Sequence, residues 1–166
     1  MTNIFLFCTT RFLVIVTFVG AMTSFAMAAS RPEPIPLYGS YIRHLDRATQ
    51  TFNGKTNPNS RPTKQKEDFF TVCKASGCVA HTPNLYPLPG ESKYIDYHWN
   101  NNRWELKAEH LFNCNDGSKV KSTLSEFLTS NGDGSFSGER SIKIEGTGCP
   151  EEGPGVYKIP FKLTPA

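Results

Sequence analysis

The stretch WELKAEHLFNC, residues 104–114, decides the fold class of this 166-residue chain. Every second residue is apolar or weakly polar, whereas most residues between them carry a charge or an amide. The first set is Trp104, Leu106, Ala108, His110, Phe112 and Cys114. Because the side chains of a β-strand point alternately to its two faces, this period of two predicts a strand with one buried face.

The same alternation recurs on both sides of this strand. The further segments that show it are 37–52 (bent and the least regular), 67–73, 77–83, 93–99, 119–130, 135–146 and 156–163. Short connections rich in Asn, Asp and Gly separate many of them, as in hairpins. No segment after the N-terminal region has a convincing helical period, so the predicted fold class is all-β.

Eight consecutive strands predict an antiparallel up-and-down meander that closes into a small barrel of the lipocalin or avidin kind. A β-sandwich is the alternative. If the first strand runs upward, the tight turns at 74–77, 100–103 and 131–134 fall at the lower end. The longer connections at 53–66 and 84–92 then fall at the upper end. This arrangement is that of a cup with a closed base and a mouth bordered by loops.

The N-terminal 28 residues have the composition of a signal peptide, with Arg11, an apolar run and small residues up to Ala28. Residues 29–36 form a Pro-rich lead-in, and residues 37–166 form a single domain. Cleavage predicts a secreted, extracellular or cell-wall-associated protein with no stable membrane anchor; an uncleaved anchor is the alternative. The formal net charge of +3, reduced by one when Arg11 is lost, gives no argument for nucleic-acid binding.

Four cysteines remain in the predicted mature chain. The spacing C-x4-C-x2-H that starts at Cys73 has half the ligands of a zinc site, but no second cluster accompanies it, and it is not the redox spacing C-x-x-C. An even number of cysteines in an exported chain predicts disulfides. In the meander, Cys73 and Cys78 meet at the lower end, and Cys114 and Cys149 meet at the upper end. These two pairs are the predicted disulfides.

Turn geometry brings two charged side chains together on the inner face. If Asn131 pairs with Ser135 across its turn, then Glu126 lies opposite Arg140 beside apolar neighbours. A buried charge needs a partner, so an internal ion pair is one interpretation. A ligand-orienting pair inside the cup is the second, and an error of register is the third.

His110 is the inner-face histidine. Pairing of Ser118 with Cys114 sets His110 opposite Ser122. No set of nucleophile, base and orienting group is visible around it, so it is interpreted as a hydrogen-bonded inner-face residue rather than a catalyst. The sequence predicts no metal site and no cofactor.

Further candidate ligand-binding residues lie in the two long upper connections: Lys55, Arg61, Lys64, Lys66 and Tyr86. The four basic residues lie in 53–66, a segment that contains no acidic residue. One interpretation is a solvated loop, and the other is a segment that attracts anionic lipid or polysaccharide. At the other end, Trp99 and Trp104 flank a tight turn and are predicted to plug the base. A surface site that stacks on sugars is the alternative for the two tryptophans.

The order of these features resembles that of small exported mycobacterial proteins and of the extracytoplasmic parts of some mycobacterial serine/threonine kinases. The shared features are FNGK (52–55), an aromatic pair before C-x4-C ending in GCVA, RW (103–104), NGDG (131–134) and a late Cys149. The resemblance covers about residues 37–164. It implies export and either ligand sensing or interaction with the envelope, and it offers no catalytic residues.

The leading functional hypothesis is a secreted, non-enzymatic β-barrel that binds a small ligand (lipid, sugar or peptide) at its upper mouth. Glu126, Arg140 and His110 would lie inside and the basic connection at the rim. A protein–protein interaction module that faces a host or the cell wall is the first alternative. A hydrolase with an unrecognised site is the second. A dry apolar pocket favours the first hypothesis, whereas a filled core with an exposed apolar patch favours the interaction module.

Overall fold

The computed structural model of the chain describes residues 33–56, 61–85 and 92–166, with the side chain of His110 excepted. The predicted signal peptide, residues 1–28, lies outside the described residues. Those that are described form one antiparallel sheet of ten strands. The strands are β1 (Gly39–Leu45), β2 (Thr51–Phe52), β3 (Lys55–Thr56), β4 (Thr63–Lys74), β5 (Gly77–Pro83), β6 (Tyr94–Asn100), β7 (Arg103–Asn113), β8 (Lys119–Ser130), β9 (Phe136–Cys149) and β10 (Gly153–Pro165).

Eight of these strands close into a barrel, as the sequence predicts. Neighbours follow chain order from β4 to β10, and β1 joins the two ends by pairing with both β4 and β10. Opposite residues in the closing pair include Tyr41 with Pro165 and Leu45 with Phe161. The alternative of a β-sandwich is therefore wrong. The short hairpin of β2 and β3 extends the sheet beside β10.

Turn chemistry explains why the lower end is tightly closed. Asn101 and Asn102 both have positive φ, 48° and 63°, which is the backbone of a type I′ hairpin between β6 and β7. At the β8–β9 turn, the N–H of Asn131 donates to the carbonyl of Ser135 at 2.9 Å. Gly134 supplies a φ of 81° in that turn. This hydrogen bond confirms the register on which the inner-face prediction depends.

Parts of two segments that were predicted as connections belong to strands. β4 begins at Thr63 rather than residue 67, because β1 pairs with it over its first seven residues. β9 continues to Cys149, and β10 already starts at Gly153. A tight hairpin therefore replaces the loop that was expected between these two strands. The first predicted strand, 37–52, is divided into β1 and β2 by a turn. The first two of these differences each shorten a connection that was predicted at the upper end.

Pro160 lies in the middle of β10, where a missing N–H would break a ladder. Its carbonyl accepts from the N–H of Asp46 at 2.9 Å, so its nitrogen faces the same side, toward β1 and β2. β1 pairs with β10 from Phe161 onward, and β2 pairs with β10 up to Lys158. The proline thus falls in the gap between two partners, where no strand needs its donor.

Two apolar clusters fill much of the interior. The larger is formed by Leu37, Tyr41, Leu45, Phe69, Ala80, Tyr97, Trp104, Leu106, Leu128, Phe136, Ile159, Phe161 and Leu163. Trp104 is fully buried, lies edge-on to Trp99 with ring centroids 5.2 Å apart, and donates its indole N–H to the carbonyl of Ile35. The prediction that these tryptophans plug the base is confirmed. The smaller cluster lies at the upper end and contains Cys114, Ile144, Cys149 and Tyr157.

Both predicted disulfides are present. Cys73–Cys78 joins the strand ends of the β4–β5 hairpin, with Cα atoms 4.0 Å apart. Cys114–Cys149 joins the top of β7 to the top of β9, with Cα atoms 5.6 Å apart. The second bond spans 35 residues and holds the upper cluster together, whereas the first spans only 5.

Candidate functional site

A network of charged side chains crosses the barrel interior, with Arg43 at its centre. Arg43 is only 1% exposed. Its Nε and Nη2 donate to the two carboxylate oxygens of Glu67 at 2.7 and 2.8 Å, and its Nη1 donates to Oε2 of Glu126 at 2.8 Å. Nη2 also donates to the hydroxyl of Tyr97, which in turn donates to Glu126. Two carboxylates thus share one buried guanidinium.

The pleat of each strand explains why these polar groups point inward. Arg43 lies between Tyr41 and Leu45 on the inner face of β1, and its guanidinium stacks 4.2 Å above the ring of Phe161. Pairing of β8 with β9 places Glu126 opposite Arg140, as the turn geometry predicts. Nε of Arg140 then donates to Oε1 of Glu126.

Pairing keeps the network charged despite its burial. Burial by itself would raise the pKa of the Glu126 carboxyl, but Arg43, Arg140 and the Tyr97 hydroxyl together hold it below its ordinary value. Burial would lower the pKa of the Arg43 guanidinium, but its anionic neighbours raise that pKa well above its usual range. Burial and the Glu126 carboxylate raise the pKa of Tyr97, so it stays a neutral donor. Ion pairs of this kind resist disruption because each partner alone would be a buried charge.

Arg140 differs from the rest of the network because it reaches solvent. Its side chain is 25% exposed, whereas those of Arg43 and Glu126 are each 1% exposed. Within the described residues, its Nε donates a hydrogen bond to Oε1 of Glu126. The neighbouring row of the inner face consists of three partly buried apolar residues, Ala108, Leu124 and Ile142. Ala108 and Leu124 pack against the larger cluster, and Ile142 packs against the smaller one.

The fate of the predicted inner-face residues is mixed. Glu126 and Arg140 are brought together, which confirms their register and the internal ion pair. Backbone pairing also sets His110 opposite Ser122, as predicted, although the side chain of His110 lies outside the described residues. Tyr86 lies outside them as well, so its proposed role at the mouth stays a prediction.

The four basic candidates do not form one loop. Lys55 is exposed on β3, and Arg61 is exposed just before β4. Lys64 and Lys66 lie within β4 and face outward, opposite His44 and Ile42 of β1. The prediction of a flexible loop over 53–66 is therefore wrong at both ends. A strand holds the two lysines on a fixed outer surface rather than at the rim of a cup.

An aromatic cluster on the outer face of β4, β5 and β6 was not predicted. The rings of Phe70 and His81 lie 4.8 Å apart, and Tyr94 is edge-on to Phe70 at 5.4 Å. Tyr94 is 46% exposed and Phe70 is 37% exposed, and Val72 beside them is also exposed. Nδ1 of His81 lies 2.8 Å from a carboxylate oxygen of Asp96, which fixes the ring. These five residues are called the outer aromatic patch below.

Sequence reasoning also missed three members of the buried network: Arg43, Glu67 and Tyr97. The available signal was the alternation Tyr41, Arg43, Leu45, which places an arginine between two apolar inner-face residues. Glu67 gives no such signal, because its inward direction depends on where β4 begins and on pairing with β1.

Among the described residues, no group of three or more His, Cys, Asp or Glu side chains is spaced to hold a metal ion. The same part of the chain contains no helix with the length and apolar character required to span a bilayer. Four of the five cysteines are joined as disulfides, which act as structural clips here.

Fold and site together define a class: a disulfide-clipped, eight-stranded antiparallel barrel with a buried ion network and a clustered aromatic outer surface. Comparison with known families then identifies the chain. Residues 33–166 match the family model of the PknI serine/threonine-protein kinase sensor domain, and the chain belongs to that family. No curated protein matches it.

A solved structure supports the same fold. The monomer form of the PknI sensor domain from M. tuberculosis superimposes with a TM-score of 0.61 at 17% sequence identity. The match covers 81% of this chain and 90% of that one. At this identity the similarity speaks for the fold alone. Together with the family match, this fold confirms the resemblance to the sensor regions of mycobacterial kinases. Two disulfides in a member of this family indicate a location outside the reducing cytoplasm.

Proposed function

We propose that this chain is an exported, non-enzymatic recognition module that binds a partner protein through the outer aromatic patch. One contrast carries the proposal: the interior is occupied by two apolar clusters and an ion network, whereas Phe70, Val72 and Tyr94 are exposed on the outer surface. A filled core with an exposed apolar patch is what distinguishes an interaction module from a ligand cup. Membership in a sensor-domain family agrees with a regulatory rather than a catalytic role.

The patch has the chemistry of a protein-binding surface. Rigid aromatic side chains provide large contact area at low entropic cost, and they are enriched where partners bind. The imidazole of His81 is held by Asp96 and by two neighbouring rings, so the surface is ordered before binding. Preorganisation of this kind reduces the free-energy cost of association.

Site-specific photo-crosslinking tests this proposal. A benzophenone amino acid is placed at Val72, inside the patch, or at Leu111, which is 40% exposed on β7 and serves as the matched control. We expect a discrete protein adduct from position 72 alone, competed by excess unlabelled wild-type protein. Competition should fail with the variant Phe70→Ser/Tyr94→Ser. Equal adducts from both positions, or equal competition by the variant, would count against the patch.

Arg140 supports a second candidate function, the binding of a small anionic ligand. Its side chain is 25% exposed and lies in the row next to the partly buried Ala108, Leu124 and Ile142. A guanidinium next to apolar side chains matches a carboxylate with a short apolar tail. The two depressions found on the described surface lie on the outer side of β5–β7 and of β7–β9, and Arg140 lines neither of them. The hypothesis of a small ligand is thus restricted to an anionic ligand bound at Arg140.

Titration with octanoate, followed by NMR of the Leu and Ile methyl groups, tests the second candidate. Saturable shifts at Leu124 and Ile142 are expected with octanoate and not with octyl glucoside, which has a similar tail and no charge. Arg140→Gln should abolish them. Lys143→Gln, which removes an exposed cation from the outer face of β9, should leave them unchanged. Shifts that persist in Arg140→Gln would exclude this residue as the anchor.

A further inference from the structure

A second surface of the barrel, formed by β4, β1 and β10, carries a concentration of positive charge. Lys64 of β4 lies opposite His44 of β1, and His44 lies opposite Lys162 of β10. Lys66 is two residues further along β4 on the same outer face. Arg61, exposed immediately before β4, extends the group. These residues are called the basic face below.

The spacing of these cations lets their fields add. Side chains two residues apart on a strand are about 7 Å apart, and those two strands apart are about 10 Å apart. The first distance is shorter than the Debye length of roughly 8 Å at physiological salt and the second is slightly longer, so the two β4 lysines reinforce each other more than Lys162 reinforces either. A strand ladder holds the charges in place, unlike the solvated loop that the sequence indicated.

Asp68 and Asp133 border this face and offset part of its charge. Glu67, the residue between Lys66 and Asp68, turns inward and pairs with Arg43. Asp68 marks the lower border of the face and accepts a hydrogen bond from the hydroxyl of Ser40. Hydrogen bonds from Ser135 lower the pKa of Asp133 in the β8–β9 turn, and the charge of Lys162 lowers it further.

We infer that the basic face binds an anionic lipid surface. Lys64 and Lys66 on β4 and Lys162 on β10 lie on either side of β1 instead of converging, so they suit many headgroups in a plane rather than one small anion. Lysine side chains can also lay their methylene stems against a surface while the ammonium groups reach phosphate. Binding to lipid adds an orienting contact to the proposed recognition module, through residues that the outer aromatic patch does not use.

Vesicle co-sedimentation of the full chain tests this inference. Phosphatidylcholine vesicles are compared with vesicles that also contain phosphatidylglycerol. The readout is the ratio of the two partition coefficients, because the apolar N-terminal run contributes to both. Each lysine near an anionic surface contributes about fivefold, so Lys64→Gln/Lys66→Gln should lower the ratio roughly 25-fold. Raised salt should lower the wild-type ratio as well.

The control is Lys119→Gln/Lys121→Gln, which removes the same charge from exposed positions on β8. Its ratio should stay close to that of the wild type. Lys162→Gln provides a second, independent reduction of about fivefold from another strand. The inference is overturned if the control pair lowers the ratio as much as the β4 pair. It is also overturned if the wild type binds both kinds of vesicle equally.

Discussion

Replacement of Glu126 by Gln gives the sharpest test of the buried network. Glu126 accepts from Arg43, Arg140 and Tyr97, so the amide must replace a carboxylate that three donors share. Arg43 keeps Glu67 as a partner but becomes a buried cation with one anion instead of two. Arg140 loses its only described partner but reaches solvent.

The magnitude follows from the burial of the pair. Removal of one member of a buried ion pair costs about 3–5 kcal/mol, because the other member is left uncompensated in a medium of low polarity. A domain of this size has a total stability of about 5–15 kcal/mol, so the loss is a large fraction of the whole. The midpoint of thermal unfolding should fall by roughly 10–20 °C.

Urea denaturation followed by tryptophan fluorescence measures this change, since Trp104 is fully buried and reports on the core. Glu109→Gln makes the same chemical change on the exposed face of β7 and should alter stability by less than about 0.5 kcal/mol. The loss of stability in Arg140→Gln should lie between those of Glu126→Gln and Glu109→Gln, because solvent screens the Arg140 side chain. A free energy of unfolding for Glu126→Gln within about 1 kcal/mol of the wild-type value would refute this account of the network.

The same variant should change how stability depends on pH. Because the pKa of Glu126 is lowered in the folded protein, its contribution is present above about pH 4.3, the ordinary value for a glutamate. The contribution is lost as the pH falls through the lower folded value. The stability difference between wild type and Glu126→Gln should therefore be largest near neutral pH and shrink in acid. A difference that stays constant from neutral pH into acid would contradict the assignment.

Other predictions concern the clips and the close contacts. Cys114→Ser/Cys149→Ser should cost about 4 kcal/mol and Cys73→Ser/Cys78→Ser about 2 kcal/mol in urea denaturation, because the sequence separations are 35 and 5; the reverse order would contradict the entropic account. Gly138→Ala should cost roughly 1–3 kcal/mol, measured in the same way, because its Cβ would lie 2.1 Å from the carbonyl oxygen of Phe127. An unchanged midpoint for that variant would mean that β8 and β9 can separate locally.

The strands of the C-terminal half were predictable because their inner faces are apolar. Residues 104–114 alternate almost without exception, and the turns on either side carry Asn and Gly at the positions that a hairpin needs. The turn length fixes which residues pair next to the turn, and counting back along both strands then gives the register. The pairing of Glu126 with Arg140 was predicted correctly for this reason. The disulfides followed from the direction of the strands.

The N-terminal half was harder because polar residues point inward there. Gln65 and Glu67 lie on the face of β4 that pairs with Arg43 and Tyr41, so no apolar period marks the start of that strand. In β1, Ile42 faces outward between Tyr41 and Arg43, which hides the alternation. The outer aromatic patch depends on the pairing of three strands, and such long-range register cannot be read from one local segment.

The closing pair of β1 and β10 also decides how the barrel responds to tension. Tyr41 lies opposite Pro165, and the N–H of Ala166 donates to the carbonyl of Ser40, so the start of β1 and the end of β10 lie side by side at the base. A force applied between them would load the hydrogen bonds of this seam one after another, as in a zipper, rather than all together in shear. Peeling of the seam that closes the barrel would therefore begin at the base and advance toward Leu45 and Phe161.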